Sequence, residues 1–418
     1  MLFESVRLSA TPECLERLVD PGFGIISPFV KRVIFVPPPV SWILDLPEFK
    51  RIQRGQAEAK REARRSHGWR DSGQFDDFFQ NIEDVSLEAE FEAYHAYSLS
   101  IKAVLTGDKL PIAWARALDQ LLNLQSAHIV NFNHLDLFNH RQADQQLTRI
   151  YMPHNERFKG YQIKDCKAFS APVGTAFFTA ALTSLAKANK TPSDFQISLT
   201  STGGEAWTTL PQWPNFNLSR VQTLELDAEL LWEYTNDKDE EIGRCISEKV
   251  YAILEKCSQT LEELKLTHVV QWPDNRVILL PALKRFSVEW GEVRPGPLSS
   301  WILRMPSLDH IALQYTSQCG DTYGAWKFIL DAIRDHPNWL QVDFEGLIAN
   351  GHLEMSLQYN TADWETAMEL KENYQEWHDI KRSLPLYLSG QIEYNTKLKV
   401  WFQEEEEDIL HDLPSDEE

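Results

Sequence analysis

A short apolar spacing recurs along this chain and constrains its fold more than any other feature. In the stretch LEELKLTH the apolar residues are Leu261, Leu264 and Leu266, separated by three positions and then by two. Neither a helix nor an alternating strand alone produces this spacing. It fits a short strand whose last two apolar side chains point to one side, preceded by a turn residue that faces the same core.

The same spacing occurs at many other places in the chain. Clear copies end at Leu8, Phe35, Met152, Leu226, Val288 and Leu313, and weaker copies end at Ile129, Leu199 and Phe344. One such strand cannot bury its apolar face alone, so the copies are expected to stack into a continuous sheet. The sequence therefore predicts an α/β fold, an irregular leucine-rich-repeat solenoid with parallel strands on the concave face and helices outside. Buried parallel strands of any α/β protein also match the spacing, but the close copies between 221 and 313 favour the repeat.

Amphipathic segments between these copies predict the outer helices. Examples are DEEIGRCISEKVYAILEKCSQT after Leu226 and TYGAWKFILDAIRDHP after Leu313. Near the start of the chain, Thr11 followed by Pro12 is typical of the first turn of a helix. We predict five regions in order. The first repeats occupy 1–36, a helical charged insertion occupies 37–118, and the solenoid occupies 119–345. A C-terminal helical cap follows at 346–403, and a disordered acidic tail at 404–418.

The predicted insertion carries two runs of opposite charge. Residues 50–70 hold eight Lys or Arg and two Glu, and residues 71–92 hold eight Asp or Glu with no Lys or Arg. The basic run is compatible with a nucleic-acid-binding arm or with a solvated helix that neutralises the acidic run. The net charge of −21 favours the second interpretation and disfavours binding to nucleic acid or to anionic membranes.

Motifs that would name a reaction are missing from the sequence. The chain has no phosphate-binding glycine loop, nucleophile elbow, zinc-protease helix or calcium loop. His128, His134 and His140 recur every six residues, a step that does not place them on one helical face. We therefore expect a chain that is not an enzyme and that has no catalytic residues, cofactor or metal. A hydrolase-like enzyme with an unrecognised site, or a nucleic-acid binder that uses 50–70, is the alternative.

Cysteine usage and hydropathy bear on the compartment. The five cysteines lie far apart without a CxxC pair, and we interpret Cys245 and Cys257 as core thiols on one helix. No apolar stretch is long enough for a membrane span. We expect the protein in the cytoplasm or the nucleus, without membrane contact.

Residues that alternate with the buried ones would share the concave face and offer one array to a protein partner. The candidates for this face are Arg149, Tyr151, Thr223, Glu225, Asp227, Glu263, Lys265, Arg285, Glu289, His310, Gln314 and Asp343. Arg7 and Arg32 hold the equivalent positions in the first copies, so arginine dominates early and carboxylates dominate later. The alternative is a sheet face that is merely solvated.

Several of these segments resemble a known family. LFESVRLSATPECLERL, followed by SPFVKRVIFVPPP, resembles the region just after the F-box in fungal F-box proteins with degenerate leucine-rich repeats. TLEELKLTHV, LPALKRFSVEWGEV and MPSLDHIALQY resemble the repeats of the same family. The resemblance covers most of 1–36 and 120–345.

The resemblance implies a non-catalytic scaffold, the substrate-recognition part of a ubiquitin ligase adaptor. Such a protein holds a substrate on its repeats while its F-box docks onto the core of the SCF ubiquitin ligase. The F-box itself is absent from this chain, so contact with the ligase core is expected only if an F-box is present upstream. We expect a monomer with a protein partner on the concave face.

Overall fold

The structure is a computed structural model that forms two compact units. They are Met1–Lys190 with Thr200–Pro214, and Thr191–Leu199 with Asn215–Glu418, here called the first and the second unit. The residues that the structure describes are 4–36, 45–47, 49–50, 84–129, 171–198, 216–227, 238–269, 272–276, 278–318, 325–338, 340–349, 353–358, 384 and 386–393.

The first unit combines three parallel strands with helices. Its strands are β1 (Ser5–Ser9), β2 (Arg32–Val36) and β3 (Ser126–Ile129), with β2 pairing both β1 and β3. Its helices are α1 (Pro12–Leu18), α2 (Pro21–Ile26), α3 (Asp84–Thr106), α4 (Lys109–Gln120) and α5 (Ala171–Lys187), with a 3-10 turn at Ser27–Phe29.

Local sequence signals explain how these elements begin and pack. The hydroxyl of Thr11 accepts a hydrogen bond of 3.2 Å from the amide of Cys14, which confirms the predicted start of α1 at Pro12. In the core of this unit, the ring of Trp114 lies 5.1 Å from that of Phe35 and 6.0 Å from that of Phe177. Helix α4 therefore covers the apolar side of β2.

The predicted insertion at 37–118 is helical where the structure describes it, in α3 and α4. Lys50, the first residue of the basic run, lies 2.9 Å from the carboxylate of Glu88 in the acidic run. That contact agrees with a basic run that neutralises its acidic neighbour. Residues 51–70 lie outside the described residues.

The second unit contains a larger parallel sheet. Six strands lie side by side in the order β4 (Asp194–Ser198), β5 (Thr223–Asp227), β6 (Glu263–Thr267), β7 (Arg285–Glu289), β9 (His310–Gln314) and β11 (Gln341–Ala349). The short strands β8 (Glu292–Val293) and β10 (Ser317–Gln318) pair in parallel, and β10 also pairs with β11. The connecting helices are α6 (Lys238–Cys257), α7 (Pro295–Ile302) and α8 (Ala325–Arg334).

The apolar triplets form the interior of this unit. Leu264 is in register with Leu224 and Phe286, and Leu266 with Leu226 and Val288, and all of these side chains are fully buried. The first triplet residues Val221, Leu261, Leu283 and Leu308 are also fully buried. Each leucine buried in this way contributes roughly 1.5–3 kcal/mol. These observations confirm the predicted α/β class and, for the triplets ending at Leu226, Leu266, Val288 and Leu313, the predicted buried side.

The region after 345 differs from the prediction of a helical cap at 346–403. Strand β11 continues to Ala349, and β12 (Leu353–Gln358) pairs with it in the antiparallel direction. The reason is visible in HLEMSLQY, where Leu353, Met355 and Leu357 alternate with polar residues as in a strand. The rest of the predicted cap is described only at 384 and 386–393, and the triplet ending at Met152 and the acidic tail lie outside the described residues.

Candidate functional site

The six parallel strands of the second unit present alternate residues opposite to the buried triplets. We call this surface the polar face. Its first row runs through Asp194, Thr223, Glu263, Arg285, His310 and Gln341, and its second through Gln196, Glu225, Lys265, Ser287, Ala312 and Asp343. Its third row contains Asp227, Thr267, Glu289 and Gln314. Because the strands are in register without a shift, the rows run straight across the sheet.

Lys265 lies at the centre of the polar face between two carboxylates. Its amine is 2.8 Å from Glu289 and 3.5 Å from Glu225, which belong to the strands on either side. Burial disfavours the charged amine, but the hydrogen bond to Glu289 and the two carboxylate charges outweigh it, so the pKa of Lys265 is raised. The surroundings of this lysine are therefore net negative.

Two further pairs join side chains of the first two rows. The guanidinium of Arg285 binds the carboxylate of Glu263, and this hydrogen bond raises the pKa of Arg285. The Nε2 of His310 lies 2.7 Å from the carboxylate of Asp343, one strand away and one row across. Lys265, Arg285 and His310 are thus each bound to a carboxylate of a neighbouring strand.

Asp227 departs from the prediction that it is displayed with the rest of the row. Its side chain is only 4% exposed, and its carboxylate lies 2.8 Å from Nδ1 of His268. A carboxylate buried to this degree needs such a partner, because an isolated buried charge is costly. Next to it in the row, the buried hydroxyl of Thr267 has no hydrogen-bond partner among the described residues.

Three side chains follow the third row directly, and we call them the aromatic edge: His268, Trp290 and Tyr315. Each occupies the position after the strand end of β6, β7 or β9, and each has a positive φ, of 55°, 52° and 48° respectively. Bulky residues rarely adopt this conformation. The amides of His268 and Trp290 donate hydrogen bonds of 2.9 Å to the last carbonyls of the neighbouring strands, at Glu289 and Gln314. The repeated bend therefore continues the pairing of the strands by one residue.

Two rings of the aromatic edge stack on each other. The rings of Trp290 and Tyr315 lie 4.2 Å apart and are inclined by only 6°, and Trp290 remains 44% exposed. Gly291 permits the bend after Trp290, because a Cβ there would lie 2.7 Å from the side chain of Val288 and 3.1 Å from the carbonyl of Val269. The bend thus places a rigid pair of rings at the border of the polar face.

The structure brings most of the predicted candidates together. Nine of the twelve share the polar face as partly exposed side chains: Thr223, Glu225, Glu263, Lys265, Arg285, Glu289, His310, Gln314 and Asp343. Asp227 is the buried exception, and Arg149 and Tyr151 lie outside the described residues. The aromatic edge was missed, although aligning the triplets shows His, Trp and Tyr two residues after Leu266, Val288 and Leu313.

The structure also bears on the metal site and the core thiols considered from the sequence. In the part of the chain that the structure describes, no cluster of His, Cys, Asp or Glu side chains is arranged to hold a metal ion. His128 hydrogen-bonds the hydroxyl of Ser126 at 2.8 Å, and the two later histidines are not described. Burial raises the pKa of Cys257 to about 12, as expected for a core thiol.

None of the described helices combines the length and the apolarity that a membrane crossing requires.

No protein-family model matches the chain, and neither the curated proteins nor the solved structures contain a significant match to it.

Proposed function

We propose that this protein is a non-catalytic protein-binding scaffold of the leucine-rich-repeat class, and that the polar face captures its partner. One observation carries the proposal: six parallel strands in register bury one set of alternate residues and present the other as straight polar rows. Rigid neighbouring strands that display side chains in rows are well suited to recognising an extended protein surface.

The repeated bend at the aromatic edge supports the repeat class. After β6, β7 and β9 the chain makes the same turn, and two of these turns lead into the short strands β8 and β10. A turn repeated after successive triplets is expected when each triplet is one unit of a stack. The spacing between units is uneven, which fits an irregular solenoid.

The resemblance to F-box proteins with degenerate repeats extends the proposal to ubiquitin-ligase targeting. In that role the polar face would hold the substrate, and an F-box upstream of this chain would supply contact with the SCF core. In this proposal the chain is the substrate-recognition part of an adaptor and acts in the cytoplasm or the nucleus.

Charge reversal on the polar face tests the proposal. Glu225→Lys with Glu289→Lys places two further cations beside Lys265, and like charges at this distance repel. The matched control is Glu248→Lys with Glu255→Lys, two exposed positions on α6. Asp227 is left intact because its burial would confuse a folding defect with a binding defect.

Affinity purification of the full chain followed by mass spectrometry is the measurement. We expect the wild type and the α6 control to retain the same partners, and the polar-face variant to lose them. Co-purification of the SCF core together with a substrate would support the adaptor role. Retention of every partner by a folded polar-face variant would reject recognition through this surface.

A second candidate, a hydrolase-like enzyme, has one observation in its favour. The buried carboxylate of Asp227 binds Nδ1 of His268 at the carboxyl ends of parallel strands, and such an arrangement orients a histidine for proton transfer at Nε2. Hydrolysis of a panel of ester, amide and phosphate substrates that is abolished by His268→Asn would establish it. If the folded wild type hydrolyses none of these substrates, the Asp227–His268 pair would be attributed to stabilising the sheet rather than to catalysis.

A further inference from the structure

We infer that the partner of the polar face presents an arginine-rich segment, and that one arginine side chain of this segment stacks on the Trp290–Tyr315 pair. The inference rests on the proposed function, because it names the chemistry of the partner that the same face would capture.

The first argument is the charge of the polar face. Its partly exposed carboxylates include those of Glu225, Glu263, Glu289 and Asp343, against two permanent cations, at Lys265 and Arg285. Both cations are already bound to carboxylates of neighbouring strands. The excess negative charge is complementary to a basic partner, and like-charged acidic partners are repelled.

The raised pKa of Lys265 reflects the same carboxylates. The amine is partly buried, which by itself lowers a lysine pKa, yet Glu289 and Glu225 together reverse the direction. A cation brought to the face by a partner meets the same two carboxylates from the solvent side, where Glu225 and Glu289 remain partly exposed.

The second argument is the geometry of the aromatic edge. Trp290 and Tyr315 form a nearly parallel pair, and almost half of the Trp290 side chain surface is open to solvent. A guanidinium group is planar, weakly hydrated and attracted to the face of an aromatic ring, so it stacks on such a platform better than an ammonium group does. The conformation at both residues is unfavourable for bulky side chains, so the local backbone preference does not explain their presence.

The third argument is the position of a carboxylate beside the rings. Glu289 immediately precedes Trp290 at the end of β7, and its carboxylate remains partly exposed. A partner arginine that stacks on Trp290 then has a partly exposed carboxylate on the preceding residue, and a carboxylate can accept the N–H groups of a guanidinium. The border between the third row and the aromatic edge thus combines the two kinds of contact that an arginine makes.

Selection from a library of random twelve-residue peptides tests the inference. The full wild-type chain is the bait, and peptides that also bind the folded Glu225→Lys, Glu289→Lys variant are removed. We expect the selected peptides to be enriched in arginine. One selected peptide is then synthesised with arginine, with lysine, and with citrulline, which keeps the shape of arginine and lacks its charge.

The expected affinities follow from the two kinds of contact. Citrulline is expected to weaken binding at least about tenfold and lysine about threefold, because the first removes the charge and the second removes the planar group. Trp290→Ala with Tyr315→Ala is expected to weaken the arginine peptide roughly tenfold, and Trp290→Phe much less. Phe328→Ala, an exposed aromatic position on α8, is the matched control and is expected to leave the affinity unchanged.

The outcomes separate this inference from the function on which it rests. If the selected peptides are neutral or acidic but still require Glu225 and Glu289, the inference is overturned while recognition by the polar face stands. If arginine peptides bind equally to the Trp290→Ala, Tyr315→Ala variant, the stacking part is overturned. If the wild type and the charge-reversed variant select the same peptides, both the proposed function and the inference fail.

Discussion

The strands of the first and second units bury similar residues and display different ones. Towards the core, β2 places Val33 and Phe35 much as β6 places Leu264 and Leu266, and all four side chains are fully buried. At the alternate positions, β1 and β2 carry Arg7 and Arg32 among serine and aliphatic residues, whereas the second unit carries several carboxylates. Packing in the core requires the inward residues to be apolar in both units, whereas the outward residues can differ between the units.

The difference has a practical consequence for locating function. A property shared by the two units, such as the triplet spacing, reports on how each unit folds. A property confined to one unit, such as the acidic rows and the stacked rings, is a candidate for what that unit binds. Substitutions at matched inward and outward positions test this division.

The largest effect is expected for Phe35→Ala in the first unit. Phe35 is fully buried against Trp114, so removing the ring should lower the free energy of unfolding by about 3–5 kcal/mol. Chemical denaturation followed by circular dichroism measures the loss, and Arg32→Ala on the same strand is the outward control. A loss below that of the control would show that β2 does not bury its triplet as β6 does.

Leu264→Ala is the counterpart in the second unit. The fully buried leucine lies in register with Leu224 and Phe286, and we expect the unfolding free energy to fall by about 2–5 kcal/mol. Hydrogen exchange at the amides of β5–β7 would locate the loss. Equal protection of these amides in the variant and the wild type would contradict a shared interior.

These two predictions depend on what the sequence discloses well. A strand that buries two alternate residues and one preceding turn residue needs three apolar positions at fixed intervals. Val221, Leu224 and Leu226 show this pattern, so the amino-acid sequence alone identifies β5. The sequence is less informative about Asp227, because an acidic residue at an outward position looks exposed until its partner His268, far along the chain, is placed beside it. The aromatic edge was missed because its positions are defined by a backbone bend, which hydrophobic spacing does not report.

A charged cluster away from the polar face is expected to have an intermediate effect. The carboxylate of Asp331 on α8 binds Lys327 and the hydroxyl of the buried Tyr387. Burial tends to raise the pKa of Asp331, but these two hydrogen bonds contribute to lowering it below its usual value. Asp331→Asn should therefore lower the free energy of unfolding by about 1–2 kcal/mol at pH 7.

The pH dependence of this effect has a defined sign. A carboxyl with a lowered pKa stabilises the folded state above its unfolded pKa of about 4, and this stabilisation is lost as the pH falls through the folded value. Denaturation of wild type and Asp331→Asn between pH 2 and pH 7 should give curves that converge at the acid end. Asp335→Asn, a more exposed neighbour, is the control, and a constant difference down to pH 2 would contradict the assignment.

The smallest effect is expected for Lys265→Met on the polar face. Partly exposed ion pairs contribute only about 0–1 kcal/mol, and methionine keeps the length of the side chain. Because the pKa of Lys265 is raised, any stabilisation is present at neutral pH and is lost as the pH rises through the folded value, above about 10.4. A loss as large as that of Leu264→Ala would show that the polar face is structural and would erase the distinction between inward and outward positions.

If the strand units are repeats, as proposed, strand β12 limits how the sheet can lengthen. Stacked repeats multiply when a segment of the gene is duplicated, and every new copy has to pair in the parallel direction with the copies around it. Because β11 pairs with β9 in parallel and with β12 in the antiparallel direction, no parallel copy can be inserted after β11 without displacing β12. Gains and losses of copies during evolution are therefore expected between β5 and β11, where each newcomer finds a parallel neighbour on both sides.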